Sequence, residues 1–157
     1  PDAQEEVKED WIDFIIELAS FEYDLGVIFD QKADEDYRLA TNETDESKLK
    51  LAPICELFEF RFPVRSYYSA FKNDKEPSLP FEQASYCVVT RHDYKLAVYD
   101  LHKEQYAFLS YMKEGLDISS AKLAFKEHHV VDAVKFDGVW EEWKKRWVGV
   151  GLFCEEK

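Results

Sequence analysis

Apolar side chains in the N-terminal segment recur every three or four residues, which is the spacing of one face of an α-helix. They are Trp11, Phe14, Ile15, Leu18, Phe21 and Leu25. Acidic residues precede this stripe, where the helix dipole favours negative charge. Gly26 weakens continuation of the pattern, so we expect a core helix over about residues 10–27.

The hydrophobic pattern changes twice in the middle of the chain. Residues 30–50 are polar and largely acidic, which predicts a long surface loop or linker with at most a short strand near residues 37–41. Residues 54–62 then alternate phenylalanine with charged side chains, as in a half-buried strand. Pro63 suits the first position of a helix. The apolar stripe of that helix is Val64, Tyr67, Tyr68 and Phe71.

The last third of the chain combines two strands with three helical segments. Residues 85–91 and 95–101 are rich in β-branched and aromatic residues and flank a short polar break at residues 92–94, which predicts a hairpin. Helical spacing follows in three groups: Leu101, Tyr106, Leu109 and Met112 up to Gly115; residues 121–125 after Ser119; and Trp140, Trp143 and Trp147. A hairpin followed by three helices is the outline of a winged-helix unit.

These elements predict an α+β fold in which N-terminal helices pack beside a C-terminal winged-helix-like unit. Residues 73–80 contain two prolines and several charges, as expected of a boundary. We therefore predict an N-terminal helical and linker subdomain over residues 1–80 and a winged-helix-like peptide-recognition domain over residues 81–157.

Charge distinguishes between the two kinds of ligand that winged-helix folds bind, nucleic acid and peptide. The chain has 20 Lys and Arg residues against 33 Asp and Glu residues, a net charge of −13. Duplex binding requires several cations on one face, because counterion release supplies much of the affinity. Here the basic residues are interleaved with acidic ones. A local run such as Lys144-Lys145-Arg146 is typical of a solvated helix face. We expect no nucleic-acid partner.

Composition and the placement of the cysteines predict the cellular compartment and argue against a membrane span. An apolar content of 46% is enough for a real core, and no apolar run approaches the roughly 18 residues of a membrane span. No signal-peptide pattern opens the chain. Three widely separated cysteines, Cys55, Cys87 and Cys154, lie within or beside apolar runs, so we expect reduced thiols and a cytoplasmic protein.

Candidate chemistry is sparse. The sequence has no glycine-rich phosphate loop, no CxxC pair, no HExxH and no GxSxG. Adjacent His128 and His129 could bind a metal with a distant carboxylate, but neighbouring side chains on a regular element point to different faces. We expect no catalytic residue, no metal ligand and no cofactor on this chain.

Residues 96–125 (LAVYDLHKEQYAFLSYMKEGLDISSAKLAF) and 140–153 (WEEWKKRWVGVGLF) resemble the leader-peptide recognition fold of the PqqD type. The matching positions are Tyr106, Leu109, Gly115, Ala121, Trp143 and Gly151-Leu152-Phe153. Residues 17–30 (ELASFEYDLGVIFD) and 60–73 (FRFPVRSYYSAFKN) are similar to the HvfC/BufC family, related to the methanobactin-cassette protein MbnC. Members of that family partner multinuclear non-haem iron enzymes that modify cysteines of ribosomally made peptides.

The resemblance implies a non-catalytic subunit of a heterodimer. It would bind the leader of a precursor peptide and present it to a multinuclear iron-dependent oxidase, which would hold the iron. HvfC/BufC proteins usually carry a further N-terminal helical domain with a DNA-binding label, and this chain begins close to where that domain would end, so the label does not transfer. The alternative is a regulatory or protein-interaction winged-helix module without a role in peptide modification. A third possibility, that the chain is itself an enzyme, is not supported by any group of candidate catalytic residues in the sequence.

A peptide can be bound by adding a strand to an exposed sheet edge. We expect residues 95–101 to supply this edge and the helix over residues 138–148 to form a wall beside it. Strand alternation places Leu96 and Val98 on one face and Tyr99 on the other. The predicted peptide-binding residues are Leu96, Val98, Tyr99, Trp143, Lys144 and Trp147, with Leu96, Val98, Trp143 and Lys144 beside one groove. Tryptophans at helical spacing are usually core, so we expect one to be partly exposed and two to be buried.

Overall fold

The computed structural model describes residues 2–129 and 132–155, and these form a mixed α+β fold of five α-helices and two small antiparallel sheets. The helices are α1 (Asp2–Asp30), α2 (Val64–Lys72), α3 (Lys103–Lys113), α4 (Ile118–His128) and α5 (Ala133–Gly149). The strands are β1 (Leu49–Leu51), β2 (Cys55–Phe60), β3 (Ser85–His92), β4 (Lys95–Leu101) and β5 (Phe153–Glu155). Within the described residues, no helix has the length and apolar character needed to cross a membrane.

The larger sheet has the order β2-β3-β4 and forms the middle of three layers. Because strand side chains alternate between faces, β3 contributes Cys87 and Val89 to one core and Val88 to another. Buried residues of α1 and α2 complete the first core: Phe14, Phe21, Leu25, Ile28 and Val64. Buried residues of α3, α4 and α5 complete the second: Phe108, Leu109, Phe125, Phe136, Trp140 and Trp147. The N-terminal and C-terminal helices therefore cover opposite faces of the sheet.

The hairpin predicted for residues 85–101 is present, with a turn of two residues. Asp93 and Tyr94 both have positive φ, 50° and 61°. This is the type I′ geometry that matches the twist of a hairpin. The β3–β4 pairing then runs from His92 opposite Lys95 to Tyr86 opposite Leu101.

Helix ends follow local sequence signals. Asp117 and Asp132 precede α4 and α5, and their carboxylates accept backbone N–H groups of the first turns. Gly115 and Gly151 follow α3 and α5 with φ of 108° and 80°. The N–H of Leu152 donates to Trp147 O at 3.0 Å, as in a Schellman motif.

A smaller sheet joins the linker to the C-terminus. β1 pairs with β5, and Leu39 forms a single bridge to Cys154 in place of the short strand predicted near residues 37–41. Strands β2 and β3 lie on either side of residue 80 and pair along their length. The two predicted subdomains thus share a sheet, and the division at residue 80 stays a prediction.

Candidate functional site

The outer edge of β4 has backbone hydrogen-bonding groups that are not used by a neighbouring strand. No other strand of the described residues pairs with it. A two-residue turn makes His92 and Lys95 a hydrogen-bonded pair, and such pairs alternate with non-bonded ones along an antiparallel ladder. The N–H and C=O groups of Leu96, Val98 and Asp100 therefore point away from β3.

One side-chain contact agrees with this assignment of the residues of β4 whose backbone groups point outward. Arg65, near the start of α2, donates from Nη2 to Val98 O at 3.5 Å. The same guanidinium binds Asp100 Oδ2 through Nη1 at 2.9 Å. This ion pair is largely exposed, and such pairs contribute only about 0–1 kcal/mol. Arg65 thus covers part of the edge with a contact that an incoming strand could displace at low cost.

The β4 edge lies between two helical layers. The half-buried side chains of Leu96 and Val98 pack against the core beneath α1 and α2. Tyr99 belongs to the opposite core, and its hydroxyl donates to Val150 O, just after α5, at 3.5 Å. A strand added to β4 would therefore find apolar side chains on both faces of the sheet.

The predicted single groove is not formed as expected. Trp143 and Trp147 belong to the core on the α3–α5 face, opposite the face of Leu96 and Val98. Of the three tryptophans, Trp140 and Trp147 are buried while Trp143 is half-buried, in agreement with the expectation of two buried and one partly exposed. The reason for the separation is strand alternation, which directs Leu96 and Val98 away from α5.

Lys144 has acidic partners of its own. Its Nζ lies 3.1 Å from Glu141 Oε2 and 3.8 Å from Glu46 Oε1. Glu46 also accepts a hydrogen bond from the indole N–H of Trp140 and lies 3.1 Å from Lys122 Nζ. These contacts hold the short 3-10 helix of residues 46–48 against α4 and α5, so the structure gives Lys144 a packing role.

The sequence reasoning did not identify Arg65 and Asp100, which complete the β4 edge. Asp100 could have been found from the two-residue turn, because the turn fixes which residues of β4 point outward. No local signal identifies Arg65, since its approach to β4 depends on how α2 packs on the sheet.

The described residues include three buried cysteines and the adjacent pair His128 and His129. All three cysteines are buried and free, and burial raises the pKa of Cys55 and of Cys87 to about 12. Such thiols stay protonated near neutral pH and are poor nucleophiles. His129 stacks on Phe125 with ring centroids 4.3 Å apart, whereas His128 stacks on Tyr111. Within residues 2–129 and 132–155, no group of three or more His, Cys, Asp or Glu side chains is arranged to hold a metal ion.

No family model, curated protein or solved structure matches this chain.

Proposed function

We propose that this chain is a non-catalytic partner subunit that binds an extended peptide along the β4 edge. The peptide is the leader of a ribosomally made precursor, and the subunit presents it to a multinuclear non-haem iron enzyme that modifies cysteine. The observation that supports peptide binding is the row of outward backbone groups at Leu96, Val98 and Asp100 between two apolar layers. The leader and the iron enzyme are proposed from the resemblance to the HvfC/BufC family.

The finer fold assignment belongs to the same proposal. The hairpin β3–β4 and the helices α3, α4 and α5 would correspond to the wing and the three helices of a winged-helix unit. Their order along the chain and the packing of the helices on one face of the hairpin support this correspondence. The buried free thiols support a reducing compartment, and we propose the cytoplasm.

Strand addition can be tested by removing one outward donor. Val98→Pro removes the N–H at the centre of the edge without removing a ladder bond, and proline is tolerated where the N–H faces outward on an edge strand. We expect this change to weaken binding of the leader peptide by about tenfold or more, equivalent to about 1.4 kcal/mol. The peptide would come from a short cysteine-bearing reading frame beside the gene, and fluorescence anisotropy would measure its affinity.

The other edge of the sheet offers a matched control. Glu59 on β2 lies opposite Tyr86, whose own N–H and C=O are directed to β4, so Glu59→Pro removes an outward donor from the wrong edge. Lys113 Nζ donates to Cys55 O at 2.6 Å, in agreement with this phase of β2. Circular dichroism must show both variants folded. Equal affinities of the parent and a folded Val98→Pro variant would exclude the β4 edge.

Amide hydrogen exchange gives a second measurement that needs no mutation. In the free chain, the N–H groups of Ala97 and Tyr99 are held by β3, whereas those of Leu96, Val98 and Asp100 face outward. We expect leader binding to slow exchange at the outward three. A bound peptide that leaves their exchange unchanged must lie elsewhere.

The alternative is a regulatory or protein-interaction module that uses the same edge for a strand of another protein. The β4 edge does not favour either function, because strand addition takes its affinity mainly from backbone hydrogen bonds, which any extended partner can make. Gene neighbourhood separates them: an adjacent iron-oxidase gene with a short cysteine-bearing reading frame supports the first proposal. In that case the purified chain should bind no stoichiometric iron, since its partner holds the metal.

A further inference from the structure

The helix α1 has a second apolar face in addition to the one it buries. Its inner face packs on the sheet through Phe14, Phe21, Leu25 and Ile28. The outer face of α1, as we use the term, consists of Ile12, Ile16, Ala19, Tyr23 and Val27. Its large side chains are exposed by 46% at Ile12, 60% at Ile16, 73% at Tyr23 and 49% at Val27. The spacing of four, three, four and four residues places them in one stripe.

A contiguous apolar stripe on a surface usually marks an interaction site, whereas single exposed apolar residues need no explanation. The stripe on α1 extends over about four helical turns. Trp11 and Ile15 lie at its border and are also exposed. This surface therefore offers a partner the contact area of an amphipathic helix face.

Gly26 creates a notch near the C-terminal end of this stripe. A shallow concavity of about 710 Å³ is lined there by Glu22, Tyr23, Gly26, Val27, Asp30 and Gln31. A Cβ added at Gly26 would meet nothing within 4 Å. Glycine inside a helix costs about 0.5–1 kcal/mol relative to alanine. The packing of the chain itself does not require glycine here, and its absence of a side chain permits close approach of another backbone.

The charge of α1 indicates which kind of partner would bind its outer face. Residues 11–30 contain five acidic residues and no lysine or arginine. A second copy docked on the same face would bring two such acidic sets together, and like charges at an interface oppose association. Glu22 and Asp30 border the notch itself. A helix with basic flanks is instead complementary to this surface.

We propose that the outer face of α1 binds an amphipathic helix of another protein, with an apolar seam and flanks rich in lysine and arginine, and that the two helices approach most closely at Gly26. The surface shares no residue with the β4 edge. The proposal therefore stands or falls independently of leader-peptide binding.

A synthetic helix serves as the probe. It has about 20 residues, long enough to be helical alone, with leucine along its seam and lysine on its flanks, and a counterpart carries glutamate on the flanks. Fluorescence anisotropy should show the lysine peptide binding at least about tenfold more tightly. Ile16→Ser should weaken this binding about tenfold, while Leu123→Ser, which changes a 64% exposed leucine on α4, should leave it unchanged. Equal binding of the two peptides, or no effect of Ile16→Ser, would overturn the proposal.

Gly26→Ala separates folding from docking. The added methyl group should raise the Tm because alanine favours the helix, yet lower the affinity for the lysine peptide because it fills the notch. Gly138→Ala is the matched control, since Gly138 also lies within a helix with nothing within 4 Å of an added Cβ. It should raise the Tm without changing the affinity. An unchanged affinity of Gly26→Ala would refute the close approach, and self-association abolished by Ile16→Ser in sedimentation equilibrium would identify a second copy as the occupant.

Discussion

Among single residues, Arg91 has the greatest structural consequence, because it joins the sheet to the end of α1. Its side chain is only 2% exposed and lies 2.6 Å from Glu35 Oε1. Nη1 donates to the carbonyl oxygens of Ile28, Phe29 and Gln31 at 3.0, 2.7 and 2.7 Å. Carbonyls at a helix C-terminus lack helical partners and carry partial negative charge. One guanidinium thus satisfies carbonyls at the end of α1 and pairs with one oxygen of the partly buried Glu35 carboxylate, whose Oε2 has no hydrogen-bond partner among the described residues.

We predict that Arg91→Met lowers the free energy of unfolding by about 3–5 kcal/mol, because it leaves Glu35 and the carbonyls of α1 without their donor in the interior. Urea denaturation would measure the change. Arg146→Met, on an exposed position of α5, is the matched control and should stay within about 0.5 kcal/mol of the parent. A loss under about 1 kcal/mol at Arg91 would show that the clamp is not a major source of stability.

Glu46 makes stability depend on pH. Its partial burial opposes ionisation, but hydrogen bonds from Trp140 and Lys122 and the charges of Lys122 and Lys144 outweigh burial and lower its pKa below the ordinary 4.5. A carboxyl with a lowered folded-state pKa stabilises the fold above its unfolded-state pKa. That contribution is lost as pH falls through the folded-state pKa.

The parent should therefore exceed Glu46→Gln in stability at pH 6, and the difference should shrink as the pH falls below about 4.5. Denaturant midpoints over this range would measure it. Glu141→Gln removes an exposed carboxylate that binds the same Lys144 and should give a smaller difference at pH 6. A pH-independent difference for Glu46→Gln would mean that packing, not charge, is responsible.

At the scale of elements, the order of helices and strands agrees with the local sequence signals, but their first and last residues differ from those predicted. The helix expected over about residues 10–27 extends as α1 from Asp2 to Asp30, because Gly26 weakens a helix without ending one that packs on a sheet. The strand predicted over residues 54–62 is β2. The helix starting at Pro63 is α2, with Pro63 as its N-cap. Strong periodicity therefore located elements better than it located their ends.

The turn after α5 depends on glycine at one position only. Gly151 has φ of 80°, and a Cβ added there would meet Leu39 at 3.8 Å, whereas a Cβ added at Gly149 would have open space around it. We predict that Gly151→Ala lowers the free energy of unfolding by about 1–2 kcal/mol, because side chains are strained in the left-handed region. Gly149→Ala should be neutral or slightly stabilising. Thermal denaturation of the two variants would test this, and equal Tm values would contradict it.

At the scale of the molecule, charge limits the choice of partners. The net charge is −13, and Lys122, Lys126 and Lys144 are each within 4 Å of an acidic side chain. Cations that already neutralise carboxylates are not available to phosphates. We therefore expect no nucleic-acid partner, and the acidic charge supports the proposal of a peptide or protein partner.

We predict that the chain binds no duplex DNA at physiological salt. Non-specific binders reach dissociation constants of about 10⁻⁴–10⁻⁶ M under these conditions through phosphate contacts. A titration by fluorescence anisotropy against a labelled duplex should show no saturable signal in that range. Micromolar affinity that falls steeply with added salt would contradict the prediction.

The sequence by itself determined the α+β composition, the hairpin and the alternation along β4. Each depends on neighbours close in the chain: apolar spacing separates helix from strand, and a period of two fixes the faces of β4. These features need no knowledge of distant contacts. The sequence also led to the expectation of two buried tryptophans and one partly exposed, but only the structure shows that Trp143 is the half-buried one.

Only the tertiary structure decided which layers meet. It placed α1 and α2 on one face of the sheet and α3, α4 and α5 on the other, which separated Leu96 and Val98 from Trp143 and Lys144. It also brought Arg65 to β4 and Arg91 to the end of α1, across 33 and 63 residues of chain. Periodicity tells which side chains share a face but not which element covers that face, because covering is a contact between residues far apart in sequence.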